Sequence, residues 1–341
     1  MFFMIRRHGA ARRFAAVAAV TAGLCAGSLL TACGQESGSG TGGDRLSVVT
    51  AFYPLQYAAE RVAGDTADVV NLTKPGAEPH DLELSPRAVG TVSQADLVVY
   101  LRGLQPAVDS AVKQEAGDHG LDVAGAARLT LPAPTAGESD HAEHGGHADH
   151  ADHSNNVEGG EEADSVASGK DPHFWLDPLR LAAVGDALAR RLAAVDPGHA
   201  DGFRANAARL RADLTTLDRE FRTGLKTCRT RDLVTSHAAF GYLAHRYGLT
   251  QFGITGLSPE QEPSPAELSS AATFARRHDV RTIYHETLVS PAVAKTVARE
   301  TGAASAVLDP LEGLTSESAG KDYLDVMRAN LATLRKGQVC S

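Results

Sequence analysis

The chain has 341 residues, 43% of them hydrophobic and 22% charged, with a formal charge of −9. That is enough apolar material for a packed body of one or two domains, and it excludes global disorder. Residues 1–32 carry Arg6, Arg7, Arg12 and Arg13 and no acid, so the rest stands at 29 basic against 42 acidic side chains, a balance of −13. Such a body attracts cations and speaks against nucleic acid or anionic lipid headgroups as partners, since both need a basic patch.

The N-terminus reads as an export signal. Basic residues up to Arg13 precede an apolar run over residues 14–30, about 17 mostly small residues where a membrane span needs about 20. The run ends in Leu30-Thr31-Ala32-Cys33-Gly34, the pattern of a bacterial lipobox. Residues 1–32 would then be a lipoprotein signal peptide, and Cys33 the lipidated first residue of the mature chain. A plain secretory signal or an uncleaved anchor are the alternatives. Residues 33–44 read as a flexible Gly/Ser-rich tether. The body is therefore expected outside the cytoplasm, lipid-anchored to the outer face of the cytoplasmic membrane. Cys25 leaves with the signal, so Cys228 and Cys340 remain in an oxidising setting. A disulfide between them is expected, with two free buried thiols as the alternative.

The body begins with a β-rich run at residues 46–52, then a helix over 54–63 opened by Pro54 and stopped by Gly64. A strand at 68–72 leads into a loop over 73–85 that contains His80. A helix starts at Ser85-Pro86, followed by a strand at 96–101, a helix at 106–116 and a strand at 121–123. Strand and helix alternating at these lengths predict a parallel α/β lobe over residues 45–176. Residues 132–170 break the pattern with Gly, Ala, Asp, Glu and His and almost nothing apolar, and read as a disordered insertion. It holds His141, His144, His147, His150 and His153, five histidines in 13 residues, a set suited to weak auxiliary binding of zinc-like ions.

Asp171-Pro172-His173-Phe174-Trp175-Leu176-Asp177-Pro178 follows, with the only Trp of the chain. Residues 177–227 form a helical connection: one amphipathic helix over 179–195, and a second over 199–226. Leu210, Leu214, Leu217, Phe221 and Leu225 make an apolar stripe on the second. At about 1.5 Å per residue that helix reaches about 40 Å, enough to bridge two lobes. The rhythm restarts over residues 228–341. Strands are expected at 232–235, 251–254, 280–284 and 306–308, and helices at 238–247, 264–278 (with a capping box at Ser264 and Glu267), 291–301 and 323–335.

His80, His173, His237 and Asp309 all fall at junctions beyond strand ends or before helices, where a crevice ligand between lobes is gripped. Imidazoles with one carboxylate suit a tetrahedral zinc ion, and the oxygen ligands that Mg²⁺ or Ca²⁺ prefer are too few. Sequence spacings alone permit such a site without requiring it. Five segments carry more: Thr50-Ala51-Phe52-Tyr53-Pro54, the run from Glu78 to Pro86, the run from Asp171 to Pro178, Thr235-Ser236-His237-Ala238-Ala239-Phe240, and Val307-Leu308-Asp309-Pro310-Leu311. In this order, with a His/acid insertion between the second and third, they resemble the zinc- and manganese-binding solute-binding proteins of ABC importers.

The resemblance implies two pseudo-symmetric α/β lobes, each a mostly parallel sheet flanked by helices, joined by a long rigid helix. It implies His80, His173, His237 and Asp309 as metal-site residues, with Glu78 or water as the other candidates for the fourth position. His237 stands where manganese members carry Glu, which favours zinc. The expected function is capture of Zn²⁺ and its delivery to an ABC permease by a monomeric, non-enzymatic protein. The rival readings are a manganese- or iron-specific member, a zinc hydrolase, and a metal-buffering adhesin. His285 and Glu286 follow a strand in the second lobe, and His245 is expected to face the surface or pack locally.

Overall fold

The computed structural model describes residues 45–137 and 169–341. The expectations for the signal segment, Cys33, the tether and the five clustered histidines lie outside the described residues. In the first sheet, β1 (Leu46–Thr50) is flanked by β2 (Ala67–Asn71) and β3 (Leu97–Tyr100), with β4 (Gly120–Asp122) beyond β3; every pair is parallel. Val48 and Val49 of β1 and all of β3 are buried, the near-continuous apolar run that a parallel sheet covered on both faces demands. In the second sheet, β5 (Asp232–Thr235) lies between β6 (Thr250–Gly253) and β7 (Thr282–His285), and β8 (Ala304–Val307) pairs with β7. The strand orders, β2-β1-β3-β4 and β6-β5-β7-β8, are the same permutation. Each sheet therefore has its switch point beside its first strand, where loops beyond the strand ends splay apart and leave room for a ligand.

The helices of the first lobe are α1 (Tyr53–Ala63), α2 (Pro86–Ser93), α3 (Pro106–Ala111) and the short α4 (Ala124–Ala127). α1 has Pro in its first turn and ends at Gly64, whose φ of 58° only glycine adopts without strain. The helix predicted over 106–116 changes at Val112–Ala116 into a π-helical turn. The connection consists of α5 (Pro178–Val195), N-capped by Asp177 through Leu179 N–H at 3.0 Å, and the 25-residue α6 (Ala200–Gly224). The second lobe adds α7 (Gly241–Tyr247), α8 (Pro265–Arg277), α9 (Ala292–Thr301) and α10 (Tyr323–Gly337). The predicted capping box at Ser264 and Glu267 is present on α8. The helix predicted from residue 238 starts only at Gly241. Residues 238–240 stay in a loop because Ala238 N–H donates to Gly256 O at 3.0 Å and Thr235 Oγ1 donates to His237 O at 2.6 Å.

α6 does bridge. Its buried stripe is Phe203, Ala207, Leu210, Leu214, Leu217 and Phe221, and at 1.5 Å per residue it runs about 37 Å. Near its start it meets the first lobe, where Asn206 Nδ2 donates to Val62 O at 2.9 Å and Arg61 pairs with Asp213. Near its end it meets the second lobe, where Gly224 lies against Leu331 and Glu220 pairs with Arg328 at 2.9 Å. Asp218, in the last third of the helix, is held by Arg246 Nε of α7 at 2.6 Å, and that nitrogen also lies 3.1 Å from Asp177 at the head of α5. Gly185 lets α5 close onto α6, because a Cβ there would sit 2.9 Å from Leu210. α10 also crosses between the halves: Tyr323 stacks on Tyr57 of α1 at 5.3 Å and donates to Trp175 O at 2.5 Å.

One apolar core runs through the first lobe, α5, α6 and part of the second lobe, and a second, smaller one fills the space between β5–β7, α8 and α9. The Cys228–Cys340 disulfide ties the chain just past α6 to the C-terminus across 112 residues of sequence. The two ends of the insertion are ordered rather than loose. Residues 132 and 170 form an antiparallel bridge, and Gly137 N–H donates to Gly253 O at 3.1 Å.

Candidate metal centre

The loop after β2 turns at Glu78, whose Oε1 accepts from His80 N–H at 3.0 Å and fixes where the imidazole emerges. His173 ends the segment before a 3₁₀ turn at Phe174–Leu176, with its N–H held by Asp171 Oδ1 at 2.9 Å. His237 lies two residues past β5, and Glu312 lies five residues past β8. These four elements bring His80, His173, His237 and Glu312 together, with one donor atom from each lying within 4.8 Å of the others. The ring centroids of the three histidines are 5.4, 5.4 and 6.2 Å apart.

Glu312 Oε1 stands 3.1 Å from His173 Nε2, 3.4 Å from His80 Nε2 and 3.4 Å from His237 Nε2. With zinc bonds of about 2.0–2.1 Å, a regular tetrahedron has edges of about 3.3–3.4 Å. Two of the three edges that meet at Glu312 match those of a zinc tetrahedron, and the one to His173 is slightly shorter. Hydrogen bonding alone leaves the cluster unsatisfied: His237 Nε2 and Glu312 Oε2 are buried without a partner. Buried polar atoms are rarely left so, and an unpaired set made of metal-ligating types is what a cation would complete.

Outer carboxylates fix the ring orientations. His173 Nδ1–H donates to Asp171 Oδ1 at 2.8 Å, and His237 Nδ1–H donates to Glu286 Oε1 at 2.6 Å. Each pairing commits Nδ1 to a proton and leaves the Nε2 lone pair for a metal, as carboxylate–histidine pairs do in zinc sites. Ser236 Oγ donates to the same Glu286 oxygen and fixes the carboxylate in turn. Two glycines make room: a Cβ on Gly241 would lie 2.6 Å from Asp171, and one on Gly253 would lie 2.7 Å from the Cβ of Ala238, next to His237.

The charges around the cluster favour protons on its imidazoles. Burial by itself lowers the His173 and His237 pKa, but Asp171, Glu286 and Glu312 outweigh it, leaving His173 above and His237 well above the ordinary imidazole value. Burial raises the Glu312 carboxyl, and the three imidazoles around it reverse that and hold it well below the usual range. Glu78 has no such escort; burial, then repulsion from Glu312, pushes it up to about 8. His173, His237 and Glu312 are sealed from solvent, while the side chains of His80 and Glu78 are 12% and 11% exposed. The loop after β2 is thus the side of the cluster that reaches solvent.

Asp309, the predicted fourth donor, is not in this group. Its Oδ1 accepts from Leu311 N–H at 2.8 Å, and its Oδ2 accepts from Ser318 Oγ at 2.9 Å and Thr287 Oγ1 at 3.4 Å. Burial raises its pKa. Its place is taken by Glu312, three residues on and one beyond the segment that carried the resemblance. An acid inside Leu308-Asp309-Pro310-Leu311-Glu312-Gly313-Leu314 was the available signal, since a charge in an apolar run must be buried with a partner. Glu78 borders the cluster through His80 without joining it. Glu286 supports His237, whereas His285 turns away to Ser305 at 3.0 Å and His245 is exposed.

The same region is covered by a family match: residues 48–337 fit ZnuA, the zinc-uptake complex component A, periplasmic. The chain belongs to this family. It is 37% identical over 313 residues to the high-affinity zinc uptake system protein ZnuA of Bacillus subtilis strain 168, covering 90% of this chain and 93% of that one. It is 35% identical over 327 residues to the zinc-binding lipoprotein AdcA of Streptococcus pneumoniae strain R6, covering 94% of this chain but 60% of that one. Among solved structures, the Zn(II)-bound ZnuA-like domain of Streptococcus pneumoniae AdcA is similar with a TM-score of 0.66 and 32% identity, over 86% of this chain and 99% of that chain. The chain thus spans nearly all of the Bacillus protein but only 60% of the AdcA protein, and that solved domain matches its two-lobed body.

Proposed function

We propose that the protein captures one Zn²⁺ between its lobes and hands it to an ABC permease for import. The observation that carries this reading is the convergence of His80, His173 and His237 on Glu312 at close to the edge lengths of a zinc tetrahedron. Three imidazoles and one carboxylate favour zinc over manganese, which prefers oxygen donors. Four protein donors also close the coordination shell, whereas a hydrolase keeps a position open for water. That supports transport rather than catalysis, in keeping with the family. His80 comes from the first lobe and His237 and Glu312 from the second, so the ion would cross-link them. With α6 stiff between the lobes, release would come from small lobe shifts and movement of the loop after β2.

Residues 1–32 are read as a removed signal and Cys33 as the lipidated residue tethering residues 45–341 to the outer face of the cytoplasmic membrane. The zinc-binding lipoprotein AdcA name among the relatives supports an anchor of this kind. Among the described residues, no helix is long and apolar enough to cross a membrane. The five clustered histidines, His141 to His153, would serve as weak auxiliary sites, and the protein would act as a monomer. Native mass spectrometry with Zn²⁺ and Mn²⁺ in competition tests the central claim. One tightly held Zn²⁺, lost in His173→Ala and kept when residues 141–153 are deleted, is the expected result; preferential Mn²⁺ retention would overturn it.

A further inference from the structure

We propose that Asp309 is a positioning residue: it builds the turn that presents Glu312 and influences metal binding only through that side chain. The inference rests on the reading of Glu312 as the fourth donor. Glu312 must arrive fully buried, and the turn that delivers it is an unfavourable one. Leu311, immediately before it, has φ 59°, the left-handed region that a side chain with a Cβ rarely adopts. Asp309 Oδ1 accepts from Leu311 N–H at 2.8 Å, a local side-chain-to-backbone bond two residues on that stabilises this kind of turn. Oδ2 is occupied by Ser318 and Thr287, so the carboxylate ties together the loops on either side of the turn. The backbone of Asp309 is clamped as well. Asn330 of α10 donates to its carbonyl at 2.7 Å and accepts from its N–H at 3.0 Å. Pro310 O accepts from Trp175 Nε1 at 2.7 Å, from the segment that carries His173. With both carboxylate oxygens engaged and the backbone held from two sides, Asp309 sets the direction in which Glu312 leaves the turn.

The test is a double-mutant cycle on the full mature chain, read by Zn²⁺ affinity in chelator competition and by the visible spectrum of the Co²⁺-loaded protein. Asp309→Ala is expected to weaken Zn²⁺ binding by about 10–100-fold, the range for residues that orient ligands, and to shift the Co²⁺ spectrum toward that of Glu312→Ala. In the Glu312→Ala background the same change should cost less than about 3-fold, because coupled residues do not add. Asp309→Asn keeps an oxygen for Leu311 N–H and should stay within about 3-fold of wild type. Additive losses, an Asn variant as weak as the Ala variant, or an Asp309→Ala with no effect would each overturn the proposal; the first two would make Asp309 a ligand. If Glu312→Ala leaves affinity and spectrum unchanged, the fourth-donor reading itself fails, a result no Asp309 variant produces. Should Asp309→Ala not fold, Thr287→Val combined with Ser318→Ala frees Oδ2 and enters the same cycle, with a smaller loss expected that again vanishes without Glu312.

Discussion

The indole N–H of Trp175 donates to the carbonyl of Pro310 at 2.7 Å, joining the His173 segment to the Glu312 turn behind the metal site. The Trp175 ring also lies 5.2 Å from the His173 ring, centroid to centroid, and is fully buried. As the only tryptophan in the chain, it is a built-in reporter of the centre. Zn²⁺ titration is expected to change its fluorescence with saturation at one equivalent. Trp175→Phe should abolish the signal while Zn²⁺ still binds, and His173→Ala should abolish both. A wild-type emission that is blind to Zn²⁺ would place the ion elsewhere.

The carboxylates behind the histidines make a separable prediction. Glu286→Ala removes the acceptor of His237 Nδ1 and frees the ring to choose the wrong tautomer; Asp171→Ala does the same to His173. Each is expected to lower Zn²⁺ affinity by about 10–100-fold, less than loss of the histidine itself. Glu286→Gln should fall between, because an amide oxygen still accepts from Nδ1–H but contributes no charge. Competition with a chelator measures all three, and a wild-type affinity in Glu286→Ala would remove that residue from the site.

These supporting contacts mark the limit of what the linear sequence conveys. The strand and helix rhythm, the bridging helix and the placement of His80, His173 and His237 were legible because hydrophobic period, Pro and Gly punctuation and strand-end position are local properties. That Glu312, rather than Asp309, stands with the three histidines was not. It turns on Leu311 adopting a positive φ, which its own identity disfavours and which Asp309, Asn330 and Trp175 impose together. Likewise Asp171 and Glu286 could not be matched to their histidines, since Glu286 and His237 are 49 residues apart in sequence and meet only through β5–β7 pairing. The late start of α7 has the same origin, a loop pinned by Gly256 across the sheet.

The disulfide should matter to stability and little to zinc. Cys228–Cys340 closes a span of 112 residues and lies at the foot of α6, and the chain-entropy model assigns a loop of that order about 4–5 kcal/mol. Replacing both cysteines by serine is expected to cost about 2–5 kcal/mol, read as a lower denaturant midpoint with a steeper slope, because the unfolded chain without the cross-link exposes more surface. Zn²⁺ affinity should stay within about 3-fold of wild type, since none of the donors touches the bridge. An affinity collapse in a variant that is still folded at the assay temperature would show that the C-terminal tie shapes the cleft.

The last prediction concerns protons. In the zinc-free protein His173 and His237 hold their protons above the ordinary imidazole value of 6.5, through Asp171, Glu286 and Glu312. A raised folded-state pKa gives the zinc-free form stability that is complete below about 6.5 and fades as pH rises through the shifted values. Zn²⁺ requires the same Nε2 lone pairs, so its binding must expel those protons. Glu78, raised to about 8 by burial and then by Glu312, adds a further proton that a nearby dication would drive off. Apparent affinity should therefore climb steeply between pH 6.5 and 8, with more than one proton released per ion, and the Zn²⁺-induced rise in melting temperature should grow over the same interval. Calorimetry in buffers of different ionisation enthalpy counts the protons directly. Release of one proton or fewer near neutral pH would mean that the imidazoles are already neutral and that the carboxylates behind them serve only to orient the rings.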